Sequence, residues 1–409
     1  MNKFDKNEII KKYFGYDLKK EQSDIIDNIL NDKDVIGLLP TGFGKSVTFQ
    51  VPALMIEGLT LVISPLIALM QDQVMALKKR GIRSEYINSL QDKNLQDKIY
   101  ESLRKNEIKI LYVSAERLKS KKFLNEIENI DISLLVCDEA HTLLWSEDFR
   151  EALGDIPDFI KRLKKRPKML ALTATATSLT VSKIIKLLSL NNPLIIRGDC
   201  DRKNIFYRNI KTNDKDRELF FYVSRRKGIH GLIYALTIKK CEHIYNFLRD
   251  KNINAAIYHG ALDSNIKKRV LEDYINHKID IVICTQAFGM GVDVSDIRYV
   301  IEYDMPQSIE DYLQQTGRAS RDGEYAEGIL YFNSRDIETI EYFIDNISSD
   351  NKSSKEIKII KNDRYNKLDK MVNYALSKKC LHGLISEYFG FKYKGKCMMC
   401  SNCKKNNYE

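Results

Sequence analysis

The sequence has no apolar run long enough to form a membrane helix. Its first twenty residues, MNKFDKNEIIKKYFGYDLKK, lack the apolar core of a secretory leader and read as a charged helix, which argues against export. Short-period repeats and low-complexity stretches are absent. Proline and glycine are sparse, at 7 and 19 of 409 residues. Collagen-like, mucin-like, coiled-coil and long disordered readings are therefore excluded. What remains is an ordinary globular balance of 44% hydrophobic and 30% charged residues. At this length the chain should form two or three domains, each able to bury its own core.

The net charge of +10 is unevenly placed. Residues 351–409 hold 14 Lys or Arg against 5 Asp or Glu, which is nearly the whole excess. Such a block fits an acidic partner, most simply nucleic-acid phosphate, or else a solvated Lys-rich face. Charge alone does not choose between them. Of the eight cysteines, Cys137, Cys200, Cys241 and Cys284 are scattered inside apolar runs, and four crowd into the last thirty residues. Without export, that crowding points to metal rather than to disulfides.

Short β-branched runs alternate with amphipathic stretches. The runs Val35–Leu39, Thr60–Ser64, Ile108–Ser114, Ser133–Cys137 and Lys168–Thr173 read as strands buried on both faces. A second series follows at Gly231–Leu236, Ala255–Tyr258, Asp280–Cys284, Arg298–Tyr303 and Gly328–Phe332. The fold class is α/β, with two doubly wound parallel-sheet domains. The seam is expected near residues 191–202, where turn residues interrupt the pattern. Beyond residue 336 the strands stop and a small Lys-rich helical module leads into the cysteines. The expected domains are 1–198, 199–345 and 346–409.

Three segments carry chemistry. Leu39-Pro-Thr-Gly-Phe-Gly-Lys-Ser46 follows a strand and opens a helix, so its backbone N–H groups can cradle phosphates. Lys45 would reach the β and γ phosphates and Ser46 would bind Mg²⁺. Leu39 stands where the pattern usually has Gly; the plain alternative is a connecting turn. Asp138-Glu-Ala-His141 ends a strand and would face the same crevice, with Asp138 suited to Mg²⁺ and Glu139 to orienting water. A surface acidic turn is the alternative. In Gln315-Thr-Gly-Arg318-Ala-Ser-Arg321, two Arg three residues apart on a helix would share a face and suit phosphate oxygens. By spacing alone they could equally be surface residues.

Cys380, Cys397, Cys400 and Cys403 supply four thiolates with close spacing, which suits structural, tetrahedral Zn²⁺ with no open position; four free cysteines are the alternative. His382 could replace one thiolate, or be an exposed helix residue. His259 could touch a nucleic-acid backbone, or be an ordinary loop residue.

Taken in order, these segments resemble superfamily 2 helicases and, more narrowly, the RecQ family of DNA helicases, over residues 13–403. Family-specific features are Tyr13-Phe-Gly-Tyr16 with Gln22, an aromatic loop directly after Asp138–His141, and the cysteine module. The resemblance implies two tandem RecA-like domains. It also implies nucleotide contacts from Tyr16, Lys19, Gln22 (reading adenine), Thr41, Gly42, Phe43, Gly44, Lys45, Ser46, Asp138, Gly291 and Asp293. Catalysis would fall to Lys45, Asp138, Glu139, His141, Gln315, Arg318 and Arg321, the last as arginine finger. Ser64, Arg117, Trp145, Phe149 and Arg150 would contact DNA, Thr173-Ala-Thr175 would couple the sites, and Ala287–Asp293 matches a further helicase motif. The sequence departs from the family in being a residue short between Tyr16 and Gln22 and also in the aromatic loop. Lys19 stands for Arg, Glu147 for His and Ala115 for Pro.

The implied function is an ATP-dependent motor on single-stranded or tailed DNA, moving 3′→5′ with ATP, Mg²⁺ and Zn²⁺, cytoplasmic and nucleoid-associated. Longer members continue into a winged-helix domain, so poor opening of blunt or branched duplexes is expected of this chain. An RNA helicase and an ATP-switched scaffold are the other readings. Cellular pathway, oligomeric state (a monomer is compatible) and partners such as single-strand-binding or recombination proteins are left open.

Overall fold

The computed structural model describes residues 5–40, 43–65, 67–88, 91–141, 156–174, 176, 178–199, 201–286, 288, 294–347 and 354–404. The chain divides into two compact units, Met1–Asp199 and Cys200–Glu409. In the first unit the strands are β1 (Val35–Leu38), β2 (Leu59–Ile63), β3 (Ser84–Ile87), β4 (Ile110–Val113), β5 (Ile132–Cys137), β6 (Lys168–Thr173) and β7 (Leu194–Arg197). They form a parallel sheet in the order β3-β4-β2-β5-β6-β1-β7. The second unit has β8 (Ile205–Lys211), β9 (Gly231–Tyr234), β10 (Ala255–Tyr258), β11 (Ile281–Cys284), β12 (Tyr299–Glu302) and β13 (Ala326–Phe332). These are again parallel, in the order β10-β11-β9-β12-β13-β8.

Both sheets are doubly wound, as their apolar strands require: each central strand buries side chains on both faces under helices. Ile36 and Leu38 feed one core of the first sheet and Val35 and Leu39 the opposite one. Each such side chain, taken out of water, contributes about 1.5–3 kcal/mol. Three strands absent from the sequence reading, β3, β7 and β8, lie at sheet edges. An edge strand buries less and tolerates polar or exposed residues, so its pattern resembles a loop; Leu194 and Ile195 of β7 are indeed exposed. Asp34 anchors β7. Its buried carboxylate accepts from Arg166 through two nitrogens, from Met169 N and from Asn191 N, and its carbonyl accepts from Leu194 N.

Residues 346–409, expected to stand as a separate module, belong to the second unit. Leu368, Met371, Tyr374, Leu381, Ile385, Phe389 and Cys400 share one core with Tyr207, Leu330 and Tyr312. The helices Ser354–Leu376 and Leu381–Tyr388 are too short on apolar surface to form a core alone, so they complete that of the sheet. No helix among the described residues is long and apolar enough to cross a membrane.

Candidate functional site

The phosphate-type loop leaves the carboxyl end of β1 and runs into the helix Val47–Met55. Gly44 has φ +78°, and a Cβ there would sit 2.8 Å from Gln22 Nε2. That close approach reflects a brace. Gln22 Nε2 donates to the carbonyls of Phe43 (2.7 Å) and Gly44 (3.1 Å), while its Oε1 accepts from Lys19 N (2.8 Å). Lys19 Nζ lies 4.0 Å from the centre of the Phe43 ring. The Gln22 side chain is buried: its Nε2 braces the loop while its Oε1 accepts from the N-cap of its own helix. Tyr16 is about half exposed.

Lys45 Nζ donates to Glu139 Oε1 at 2.5 Å, joining residues that are 94 positions apart. Glu139 follows β5 and takes φ +48°, a left-handed conformation that a residue with a Cβ adopts at a cost. Its second carboxylate oxygen lies 3.4 Å from His141 Nδ1, and that nitrogen is 2.8 Å from Thr173 Oγ1 at the end of β6. The carboxyl ends of β1, β5 and β6 are thus joined by one polar chain, Lys45–Glu139–His141–Thr173. Asp138 accepts from Glu139 N at 3.0 Å. Burial first, and then the Glu139 charge, push its carboxyl up to about 6 against the opposing pull of Lys45. A buried carboxyl with that history suits a hard cation, since a neighbouring positive charge would reverse the shift. Ser46 is the N-cap of the helix Val47–Met55.

Two of the proposed DNA contacts, Ser64 and Arg117, are among the described residues. Ser64 is buried beyond β2, its backbone N donating to Val113 O. Arg117, in the 3₁₀ turn Ala115–Lys119, donates to the Asn88 carbonyl at 2.5 Å. Trp145, Phe149, Arg150 and Glu147, together with Thr41, Gly42, Thr175, Gly291 and Asp293, lie outside the described residues.

In the second unit, the helix Ile309–Thr316 begins at Ser308, whose Oγ accepts from Asp311 N and donates to Asp311 Oδ2, and stops at Gly317. Gln315 is therefore on the helix, whereas Arg318 and Arg321 lie in the turn after it. The shared helical face expected of the two Arg is not formed, because Gly317 ends the helix and Ser320 takes φ +51°. Sequence reasoning missed what supports that turn. Arg202 donates to the carbonyls of Gly317, Ala319 and Ser320 (3.2, 3.1 and 2.8 Å), and Asn204 Nδ2 donates to Ser320 Oγ (2.7 Å). Arg318 is buried, and its charge acts on Tyr234.

The sulfur atoms of Cys380, Cys397, Cys400 and Cys403 all lie within 4.8 Å of one another. Tetrahedral zinc with bonds of about 2.3 Å needs sulfurs about 3.8 Å apart, so the four fit it. Backbone N–H groups of Gly383, Met399 and Leu381 donate to the sulfurs of Cys380, Cys397 and Cys400 (3.4, 3.3 and 3.4 Å), as thiolates require. Burial, with the adjacent sulfurs, pushes the Cys397 thiol up, so four thiolates need a cation among them. The cluster is sewn to the edge of the sheet: Tyr207 N donates to Met399 O and Ser401 N to Tyr207 O.

His382 is neither an exposed helix residue nor a member of this sulfur group. It is buried, bonded to Asp201 and to Met399 O (3.0 Å), with its ring 4.7 Å from Tyr207. His259 is buried as well. A further group, His230, His277 and Asp296, brings potential ligand atoms together, but the two imidazoles stack with planes 16° apart. Their lone pairs run parallel and do not converge on one ion.

Residues 19–184 match the DEAD/DEAH box helicase family, 214–323 the helicase conserved C-terminal domain and 334–404 the RecQ zinc-binding family. The ATP-dependent DNA helicase RecQ of Bacillus subtilis is 36% identical over 397 residues, covering 96% of this chain and 65% of that protein. The probable ATP-dependent DNA helicase RecS of the same organism is 37% identical over 338 residues, 81% of this chain and 68% of its own length. Among solved structures, Mycobacterium smegmatis helicase Lhr bound to single-stranded DNA and AMP-PNP superimposes with a TM-score of 0.63 at 17% identity, over 83% of this chain and 49% of that one. That likeness shows the fold. The chain spans slightly less than two thirds of the RecQ protein it matches.

Proposed function

The chain belongs to the RecQ family of ATP-dependent DNA helicases, and we propose that it hydrolyses ATP to move 3′→5′ along single-stranded DNA and separate strands. The observation that carries the reading is the polar chain Lys45–Glu139–His141–Thr173 at the carboxyl ends of three parallel strands. This is where open α/β sheets bind ligands.

In the proposed cycle, a triphosphate draws the Lys45 ammonium away from Glu139. Glu139, relieved of its partner, accepts a hydrogen bond from the attacking water and holds it in line with the γ-phosphate. Its strained backbone, φ +48°, aims the carboxylate instead of leaving it to rotate freely. Because His141 touches both Glu139 and Thr173, a change at the carboxylate passes to the end of β6 and the segment after it. Asp138 and Ser46 would hold Mg²⁺, which neutralises phosphate charge when bound. Arg318 and Arg321 are proposed to answer the charge that develops on the γ-phosphate. The four cysteines would hold Zn²⁺, which ties the last helix to the edge of the second sheet.

The test is ATP hydrolysis with and without single-stranded DNA, with RNA of the same sequence as comparison and Lys45→Ala as control. DNA stimulation that disappears in the Lys45 variant is expected. Equal hydrolysis by parent and variant would refute the reading, and stronger stimulation by RNA would move it to an RNA helicase. Strand displacement on 3′-tailed against 5′-tailed duplexes decides polarity.

A further inference from the structure

Glu302 ends β12, in the run Tyr299-Val-Ile-Glu302, and is 1% exposed. Strand alternation puts it on the same face as Val300, which packs in one core with Ile309, Tyr312 and Leu313 of the helix that carries Gln315. The two Glu302 oxygens lie 2.6 and 3.0 Å from one end of the Gln315 side-chain amide. Both residues line a cavity of 230 Å³ at the carboxyl ends of β9, β11 and β12, together with Tyr234, Thr285, Gln286 and Asp304.

Among the described residues, no ion pair joins a cation to Glu302. Lys215 binds Asp304 (3.1 Å) and Asp336 (2.6 Å), and Lys367 lies 3.6 Å from Glu310. Facing Glu302 are the carboxyls of Asp304 and Asp311, together with Tyr234 and Cys284, while Arg318 stands beside Tyr234. An ionised carboxylate buried without a cation costs several kcal/mol, so such a group takes up a proton instead. Burial and then Asp311 and Asp304 all act in that direction on Glu302, and they hold its carboxyl well above the usual carboxylate range.

We propose that Glu302 is a neutral carboxylic acid whose work is to position Gln315. Resting on the ATPase reading above, the inference assigns the pair a role there. A neutral acid fixes the glutamine through a hydrogen bond without placing a negative charge in a cavity that phosphate must approach. Ionisation would add that charge. Glu302 is a positioning residue in this scheme, since it acts through Gln315.

Two measurements test it on the full chain. In isotope-edited infrared spectra at neutral pH, the parent should show a carboxylic-acid C=O band that Glu302→Gln removes. No such band would overturn the proposal, whether or not the protein hydrolyses ATP; a band with no hydrolysis in the parent would instead overturn the ATPase reading. The second is the pH profile of kcat and of KM for ATP. Glu302→Ala should lower kcat by about tenfold, the loss of one supporting hydrogen bond, and Glu302→Gln, the isostere of the neutral acid, should restore it. The parent should lose ATP affinity on the alkaline side, a limb that Glu302→Gln lacks. A tenfold loss in Glu302→Gln at pH 7.5, or the same alkaline limb in both proteins, would overturn the positioning role.

Discussion

Replacing Gly44 by Ala should loosen the phosphate-type loop, and the structure says by how much and through which partner. At φ +78° an Ala costs about 1–2 kcal/mol for the left-handed backbone alone. Its Cβ would also stand 2.8 Å from Gln22 Nε2, so the glutamine must withdraw and give up its bonds to the Phe43 and Gly44 carbonyls. Each is worth about 0.5–1.5 kcal/mol, bringing the variant to about 2–5 kcal/mol. Gln22→Ala forfeits the same two bonds and the one from Lys19 N, about 1.5–4.5 kcal/mol. In the double variant the clash has no partner, and Gly44→Ala adds only its backbone cost. The double variant should therefore fall short of the sum by about 1–3 kcal/mol. Native-state hydrogen exchange at Val35–Leu38 and Val47–Met55 reads this within the first unit alone. Additivity to within about 0.5 kcal/mol would refute the brace and free Gln22 for other contacts.

Further outcomes follow from single contacts. Glu139→Gln should cut turnover by 100-fold or more while nucleotide binding persists, because the amide still accepts from Lys45 but orients water poorly; steady-state hydrolysis beside nucleotide titration checks it. Chelation of the metal, or Cys400→Ser, should raise hydrogen exchange at Ile205–Lys211 and Leu381–Tyr388 and leave Val35–Leu38 protected, since the cluster is sewn to Tyr207 in the second unit only. Arg202→Ala uncaps three carbonyls of the turn bearing Arg318 and Arg321. It should cost about 2–4 kcal/mol in denaturant melts and lower kcat more than it raises KM.

Much of the fold could be read from local pattern. Strands such as β2 and β5 sit inside their sheets, so Leu61–Ile63 and Leu134–Cys137 are apolar at every position, and that run is visible in one dimension. β3, β7 and β8 have one neighbour each. The half-polar sequences of β3 and β8, SEYI and IFYRNIK, satisfy an edge without advertising a strand. The phosphate-type loop, Asp138–His141 and the trio Cys397, Cys400 and Cys403 were also legible, because each packs its chemistry into a few adjacent residues. His382 was not. Its burial depends on Asp201 and Met399, which approach it from segments 181 and 17 residues away.

The amino-acid order by itself determined the two α/β series, the loop-to-helix junction at Lys45 and the metal-ligand spacing, since each is a property of near neighbours along the chain. Only the tertiary structure decided that Gln22 holds the loop, that Lys45 meets Glu139, that Arg202 supports the arginine turn and that Glu302 is sealed away beside Gln315. Those contacts join residues 13 to 118 positions apart, and no local period records them; Lys45 meets Glu139, for one, because parallel strands gather their carboxyl ends on one side of a sheet.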